Sequence, residues 1–243
     1  MIKNILFTGD KHGDFFSFST LDKNKYPPEE TMVIIAGDVG VNIGDPEIDK
    51  IHKKNLANFG YTIYCLRGNH DLRPSYELGF EQKYDENVDG EIWFDPQFPN
   101  IRYLIDGVLY TINGGTTMLP IGGAYSIDKD YRLKRGWFWT PDEQLNEQER
   151  QKILDDFSGT NVDIMLSHTC PLDWEPSDLF LKMVDQNLVD KSMEIWLNEV
   201  AKKINWKQWI WGHYHADRVY KDGKRFILFN EFKTLEEIIN PKI

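Results

Sequence analysis

Three short apolar stretches near the start of the sequence each run into a glycine that is followed by a carboxylate or an amide. Short apolar runs bounded by such turn residues predict buried strands. The junctions are Gly9-Asp10 after residues 5–7, Gly37-Asp38 after residues 32–36, and Gly68-Asn69-His70-Asp71 after residues 61–67. Because the carboxyl ends of parallel strands share one edge of a sheet, we expect these polar groups to meet there.

A helix is predicted between the second and third of these strands. Asp45 is a suitable N-cap, Pro46 fits the first helical position, and Gly60 follows the predicted end. Strand, helix, strand at this spacing indicates right-handed parallel units. The predicted apolar stripe of the helix comprises Ile48, Ile51, Leu56 and Phe59.

Alternating patterns in the second half add antiparallel strands. Asp106-Gly107 separates two alternating runs and predicts a hairpin, and Asp222-Gly223 predicts another. Together with the parallel start, they predict an α/β fold with one mixed sheet or two stacked sheets. A capping box at Thr140-Pro141-Asp142-Glu143 predicts a helix that ends near Gly159.

Two further apolar stretches deliver histidines. Residues 162–166 form a predicted strand that leads to Ser167-His168, and residues 206–211 lead to Gly212-His213-Tyr214-His215. Between them, Asp190 is a suitable cap for a helix whose predicted core face comprises Met193, Trp196, Leu197, Val200 and Ile204.

Composition narrows the class of protein. The 243 residues suit one α/β domain, and we expect residues 1–243 to form a single domain. A net charge of −11 disfavours binding to a nucleic-acid backbone, which requires a basic surface. We find no apolar run long enough to span a membrane and no leader before the first strand, so the sequence predicts a cytoplasmic protein.

Five of the six histidines lie at predicted strand ends, and His52 alone lies on the first predicted helix. Every member of the strand-end set offers nitrogen or oxygen to a divalent ion, and none offers a thiolate. Two ions about 3.5–4 Å apart need a bridging anion, which a carboxylate such as Asp38 supplies. The set comprises Asp10, His12, Asp38, Asn69, His70, His168, His213 and His215.

These blocks, in this order, resemble the calcineurin-like metallophosphoesterases. The resemblance spans residues 9–215 and implies a four-layer αββα sandwich around two divalent ions. The matching blocks are Gly9-Asp10-Lys11-His12, Gly37-Asp38, Gly68-Asn69-His70-Asp71, Ser167-His168 and Gly212-His213-Tyr214-His215.

The resemblance also implies a role for each residue. One ion would be held by Asp10, His12, Asp38 and His215, and the other by Asp38, Asn69, His168 and His213. A hydroxide bridging the ions would attack phosphorus, His70 would protonate the leaving group, and Asp71 would orient neighbouring groups. Manganese is our expected metal, with iron, zinc, cobalt and nickel also compatible with such ligands.

The resemblance leaves the substrate open. Protein phosphatases of this superfamily continue Gly-Asp into Asp-Arg-Gly, whereas this chain has Asp38-Val39-Gly40, which disfavours that assignment. We expect a phosphomonoesterase or phosphodiesterase acting on a phosphorylated small molecule, nucleotide or protein. The alternatives are a nuclease, which a steep salt dependence would reveal, and a non-catalytic scaffold, which should have lost ligands.

Several residues outside the ligand set are candidates for substrate contact. Arg67, Arg73 and Arg132 could bind phosphate oxygens bidentately, although structural ion pairs explain each equally well. Residues 122–128 could approach the metal pocket, because two glycines open that loop. Residues 137–139 could stack on a ring, although packing in the core is favoured for them.

Overall fold

The computed structural model describes residues 2–241, which contain two mixed β-sheets. The first sheet has seven strands in the order β13-β1-β2-β3-β6-β5-β4. Its strands are β1 (Asn4–Thr8), β2 (Thr31–Ile35), β3 (Thr62–Cys65), β4 (Glu81–Asp85), β5 (Gly90–Phe94), β6 (Ile101–Tyr103) and β13 (Lys233–Thr234). β1, β2, β3 and β6 are parallel to one another, whereas β4, β5 and β13 join by antiparallel pairs.

The second sheet has six strands in the order β11-β12-β10-β9-β8-β7. Its strands are β7 (Tyr110–Ile112), β8 (Thr116–Ile121), β9 (Asn161–Ser167), β10 (Asn205–Trp211), β11 (Arg218–Val219) and β12 (Arg225–Ile227). β8, β9, β10 and β12 are parallel. The Asp222-Gly223 hairpin is confirmed, because β11 and β12 pair antiparallel across it.

The two sheets pack face to face with helices outside them. Alternate residues of the strands, such as Phe7, Ile34, Ile164 and Ile210, form one buried cluster between the sheets. The helices are α1 (Phe16–Ser19), α2 (Pro46–Ala57), α3 (Lys129–Lys134), α4 (Glu147–Phe157), α5 (Ser192–Lys203) and α6 (Leu235–Ile239). Side chains of α1 and α2 cover the first sheet, and those of α4 and α5 cover the second.

The sandwich brings the carboxyl ends of the central strands together. β1, β2 and β3 of the first sheet end at Thr8, Ile35 and Cys65, and β9 and β10 of the second end at Ser167 and Trp211. Each end leads into one of the polar blocks of the sequence. The α/β prediction with two mixed sheets is confirmed. Between residues 2 and 241, no helix combines the length and the apolarity that crossing a bilayer requires.

The hairpin predicted at Asp106-Gly107 is wrong. β6 pairs with β3 and β5, whereas β7 pairs with β8, so this turn carries the chain from one sheet to the other. The Asp106 carboxylate accepts hydrogen bonds from the Gly122 N–H and from the Arg67 guanidinium, which ties the turn to neighbouring loops. The sequence signal specified a reversal of the chain, but tertiary contacts selected the strand partners.

The helix start predicted at Thr140 is also wrong. The Glu143 carboxylate accepts hydrogen bonds from the Ser126 N–H and the Trp139 indole, so it is not available for a capping box. α4 starts later, where Asn146 and Glu149 form a reciprocal capping box. The predicted end near Gly159 is confirmed, because α4 stops at Phe157.

The predicted start and end of α2 are confirmed. The prediction that its apolar residues all face the core is wrong for two of them. Asp45 caps the helix by accepting from two backbone N–H groups, and Pro46 is its first residue. Leu56 is fully buried, whereas Ile48 is 43% exposed and Ile51 is 57% exposed. Ile48 lines a cavity instead of the core.

We expect Asn146→Ala to lower the free energy of unfolding by about 1 kcal/mol, because it leaves a helix N-terminal N–H without its acceptor. Urea denaturation measures the change. Gln151→Ala, on the exposed face of the same helix, is the matched control and should stay within about 0.5 kcal/mol of the unmutated protein. Equal losses in both variants would contradict the observed helix start.

Candidate metal centre

Two buried carboxylates hold the strand-end loops together. The Asp10 Oδ1 atom accepts the His213 N–H at 2.8 Å, a bond that joins loops of different sheets. The Asp38 Oδ1 atom accepts the His70 N–H at 2.9 Å. Each carboxylate thereby uses one oxygen to fix the backbone and keeps its Oδ2 atom for the space between the loops.

Glycines before the polar residues permit this close approach. A Cβ atom on Gly68 would lie 1.9 Å from Asp38 Oδ1, and one on Gly212 would lie 2.1 Å from Asp10 Oδ1. A Cβ atom on Gly37 would lie 2.2 Å from His168 Nδ1. No side chain fits at these distances, so the Gly-Asp, Gly-Asn and Gly-His pairs of the sequence are steric requirements.

Four of the candidate ligand residues in these loops have a left-handed backbone. The φ angles are 46° at His12, 45° at Asp38, 66° at His213 and 48° at His215. Such conformations cost free energy in residues other than glycine, and they concentrate at functional sites, where surrounding contacts enforce them.

The first cluster of ligand-type atoms comprises Asp10, His12 and His215. The Nε2 atoms of the two imidazoles lie 2.9 Å apart. The Asp10 Oδ2 atom lies 3.3 Å from His215 Nε2 and 3.8 Å from His12 Nε2. That carboxylate oxygen is buried and has no hydrogen-bond partner. Burial raises the pKa of Asp10, but the interaction with His215 and the other nearby imidazoles outweighs it, so the carboxyl group stays ionised.

The second cluster surrounds Asp38 and His168. The His168 Nδ1–H donates to the Ala36 carbonyl at 2.8 Å, which turns Nε2 toward the centre. There Nε2 lies 2.9 Å from Asn69 Oδ1 and 3.5 Å from Asp38 Oδ2. Burial lowers the pKa of His168, but the Asp38 carboxylate outweighs that effect and raises it to about 9.

Two neighbouring groups, His213 and Asp38, have pKa values that are both lowered, so the imidazole is neutral and the carboxyl group is ionised. The pKa of His213 falls to about 3, because the ring is desolvated and lies beside His168, with ring centroids 5.1 Å apart. Burial raises the pKa of Asp38, but His168 and His70 more than offset it and hold the pKa well below its usual range. An anionic carboxylate and a neutral imidazole are both in the form that a cation requires.

These atoms fit a divalent ion. Ligand-type atoms of Asp10, His12 and His215 all lie within 4.8 Å of one another, and so do those of Asp10, Asp38 and His168. The donors are carboxylate oxygens and imidazole nitrogens, and an orphaned buried oxygen lies among them. The Asp/His cluster is therefore compatible with a metal site.

A family model described as calcineurin-like phosphoesterase matches residues 3–217. The chain belongs to the calcineurin-like phosphoesterase family. Members of this family typically bind divalent metals, in keeping with the Asp/His cluster. The match extends across both sheets, from β1 to the loop after β10.

Solved structures share the fold of this calcineurin-like phosphoesterase. The crystal structure of TT1561 of Thermus thermophilus is 11% identical, with a TM-score of 0.51 over 96% of this chain and 98% of that chain. A second crystal structure is 13% identical, with a TM-score of 0.52 over 98% of this chain and 96% of that one. No curated protein sequence matches the chain.

Of the two predicted catalytic residues, His70 lines the cavities and Asp71 lies in the interior. His70 is partly exposed, and its Nε2 atom lies 3.9 Å from Asp38 Oδ2. Asp71 is buried and accepts the Gly68 N–H at 2.8 Å, so it supports the turn that carries Asn69 and His70. Burial, with a contribution from Asp38, raises the pKa of Asp71 to about 8.

The three predicted substrate arginines have different surroundings. Arg67 is buried and donates to the Asp106 carboxylate and the Glu143 carbonyl. Arg73 pairs with the Glu149 carboxylate at 2.6 Å. The structure thus engages both guanidinium groups with protein acceptors, whereas Arg132 lines a cavity beside His70.

Two residues of the loop 122–128, which was predicted to approach the metal pocket, had no individual role assigned from the sequence. Asp128 Oδ1 lies 3.9 Å from His70 Nε2 and has no hydrogen-bond partner. The Ser126 hydroxyl accepts a bond of 2.9 Å from the Asn69 amide nitrogen, which leaves the amide oxygen toward His168. Both follow β8 and the pair Gly122-Gly123, so the rule of polar groups at strand ends could have found them.

We expect Gly68→Ala to lower the free energy of unfolding by about 1–3 kcal/mol, because the added methyl collides with the Asp38 carboxylate and backbone. Urea denaturation is the measurement. Gly115→Ala is the control, since a Cβ atom there meets nothing within 4 Å. Similar midpoints for both variants would show that the loops do not need this approach.

Proposed function

We propose that the protein is a metal-dependent phosphoesterase that hydrolyses phosphomonoesters or phosphodiesters. The observation that carries the proposal is the clustering of two buried carboxylates, Asp10 and Asp38, with the imidazoles of His12, His168 and His215 in two adjoining groups that share Asp10, whose buried Oδ2 atom is unpartnered. Family membership supports the same reaction class.

We assign the ligands in two groups that share Asp38. The first group is Asp10, His12, Asp38 and His215, and the second is Asp38, Asn69, His168 and His213. Divalent ions bound there supply Lewis acidity and lower the pKa of a coordinated water. The surrounding protein prepares the second group, because the hydrogen bonds of Asn69 to Ser126 and of His168 to Ala36 fix the orientation of these two side chains.

His70 is our proposed proton donor to the leaving oxygen. Its backbone is anchored to Asp38, while its Nε2 atom lies 3.9 Å from carboxylate oxygens of both Asp38 and Asp128. The His70 side chain is 28% exposed, so the ring is within reach of solvent, and it lies beside both carboxylates. A histidine so placed can deliver a proton to an alkoxide as the phosphorus–oxygen bond breaks.

Two cavities meet at this point. One encloses about 770 Å³ and the other about 650 Å³. His12, His70 and Asp128 line both of them. An organic group attached to the phosphate therefore has room on either side of the proposed proton donor.

The first test pairs elemental analysis with hydrolysis of p-nitrophenyl phosphate and bis-p-nitrophenyl phosphate in added manganese or nickel. We expect about two metal ions per chain and turnover of at least one ester. Asp38→Asn should lose metal and turnover together, because this carboxylate is shared by both ligand groups. Asp156→Asn, on the outer face of α4, should retain both. A protein that binds no metal and cleaves neither ester would refute the proposal.

His70→Ala should lower kcat for an alkyl phosphate by about 10²–10⁴-fold, with metal content unchanged. The loss should be smaller for p-nitrophenyl phosphate, whose leaving group needs no proton. Gln151→Ala, on the exposed face of α4, is the control and should keep kcat for both esters. Equal losses for both esters would remove His70 from the role of acid.

Metal affinity should rise with pH up to about 9, because His168 holds a proton below that pKa and a metal must displace it. The chelator-treated protein should bind manganese more tightly by up to about tenfold per pH unit below this value, with release of a proton. Titration calorimetry in buffers of different ionisation enthalpy counts that proton. An affinity independent of pH would contradict the assignment of His168 as a ligand.

A further inference from the structure

The larger cavity has a wall unlike that of the metal centre. It extends from His12 and His70 to α3 and the turn that follows it, with the start of α2 on the opposite side. Its volume of about 770 Å³ is that of a small-molecule site and exceeds what a phosphate alone requires. The cavity therefore has room for the organic part of a substrate.

Arg132 is a buried cation in this wall. The residue is 6% exposed, and its Nη1 atom has no hydrogen-bond partner. Among residues 2–241, no carboxylate forms an ion pair with it, whereas Arg67 pairs with one carboxylate and Arg73 with two. A buried charge without a counterion is costly, so the site is prepared for an anion that arrives from outside the chain.

Arg132 is separated from the part of the centre where the scissile phosphate must lie. His12, His70 and Asp128 line both cavities, but Arg132 lines only the larger one. A guanidinium in that position suits an anionic group of a substrate other than the scissile phosphate. Its planar fork matches phosphate oxygens.

Apolar side chains also line the wall of the larger cavity that contains Arg132. The Trp137 side chain is 55% exposed, and Phe138 and the exposed Ile48 border the cavity with it. The Trp137 ring is supported at its edge by Tyr131, with ring centroids 5.7 Å apart. An exposed indole held in this way offers a stacking surface for a planar ring.

We propose that this cavity selects nucleotide-like phosphoesters, in which a planar base stacks on Trp137 and a phosphate other than the scissile one binds Arg132. The inference rests on the proposed phosphoesterase function and assigns its substrate class. It makes Arg132 and Trp137 specificity-determining residues rather than catalytic ones.

The experiment compares substrates that differ by one phosphate. In the metal-loaded protein, kcat/KM for adenosine 3′,5′-bisphosphate should exceed that for the better of 3′-AMP and 5′-AMP by about 10- to 100-fold, the contribution of a charged hydrogen bond. This first measurement uses the unmutated chain. Arg132→Gln should reduce the advantage to about threefold or less, and Arg132→Lys should restore part of it. Lys134→Gln, which removes an exposed cation at the end of α3, should keep the full advantage.

The stacking arm compares 3′-AMP with glycerol 2-phosphate, which has no ring. Trp137→Leu should reduce the preference for 3′-AMP by at least about fivefold, and Trp137→Phe should preserve most of it. Both arms report ratios of kcat/KM, so a general loss of active protein does not change them.

The outcomes separate this inference from the proposed function. If p-nitrophenyl phosphate is cleaved but the bisphosphate has no advantage over either AMP, the substrate assignment is overturned and the phosphoesterase remains. An advantage that survives Arg132→Gln overturns the role of Arg132. If no ester is cleaved with any metal, the proposed function fails and the inference fails with it.

Discussion

The hydrogen bond from the His213 N–H to Asp10 Oδ1 joins the two sheets at the point where the candidate metal centre forms. A second contact runs in the same direction, because His168 of the second sheet donates to the Ala36 carbonyl of the first. Neither sheet alone holds either of the proposed ligand groups. The apolar packing between the sheets therefore supplies the alignment, and these polar contacts convert it into a defined arrangement of oxygen and nitrogen atoms.

This arrangement is costly within the protein itself. Carboxylates are held ionised while buried, four candidate ligand residues adopt a left-handed backbone, and Asp10 Oδ2 lacks a partner. Neighbouring imidazoles offset the cost of burying Asp38, and glycines remove the steric obstacle to the loops. The rest of the sandwich stabilises a local arrangement that would not persist in isolation.

Sequence reasoning succeeded where a local rule and the global fold agree. The strands before Asp10, Asp38, Asn69 and His168 were predictable, because apolar runs ending in polar residues suit buried parallel strands. It failed at Asp106-Gly107 and Thr140, where the local pattern is compatible with several partners and tertiary contacts of Arg67 and Glu143 decided the outcome. The lack of a partner for the Arg132 guanidinium could not be predicted from the sequence. Which arginine finds a carboxylate depends on distances in the folded protein, and sequence spacing does not give those distances.

The contact between Asp10 and His213 spans 203 positions of the chain. During synthesis, the first ligand group lacks His215, and the second lacks His213, until β10 has emerged from the ribosome. Early segments can form the first sheet, but closing so long a loop comes late and slowly. Both proposed ligand groups therefore become complete only once the loop after β10 has been synthesised, so full metal coordination depends on contacts between segments far apart in the chain.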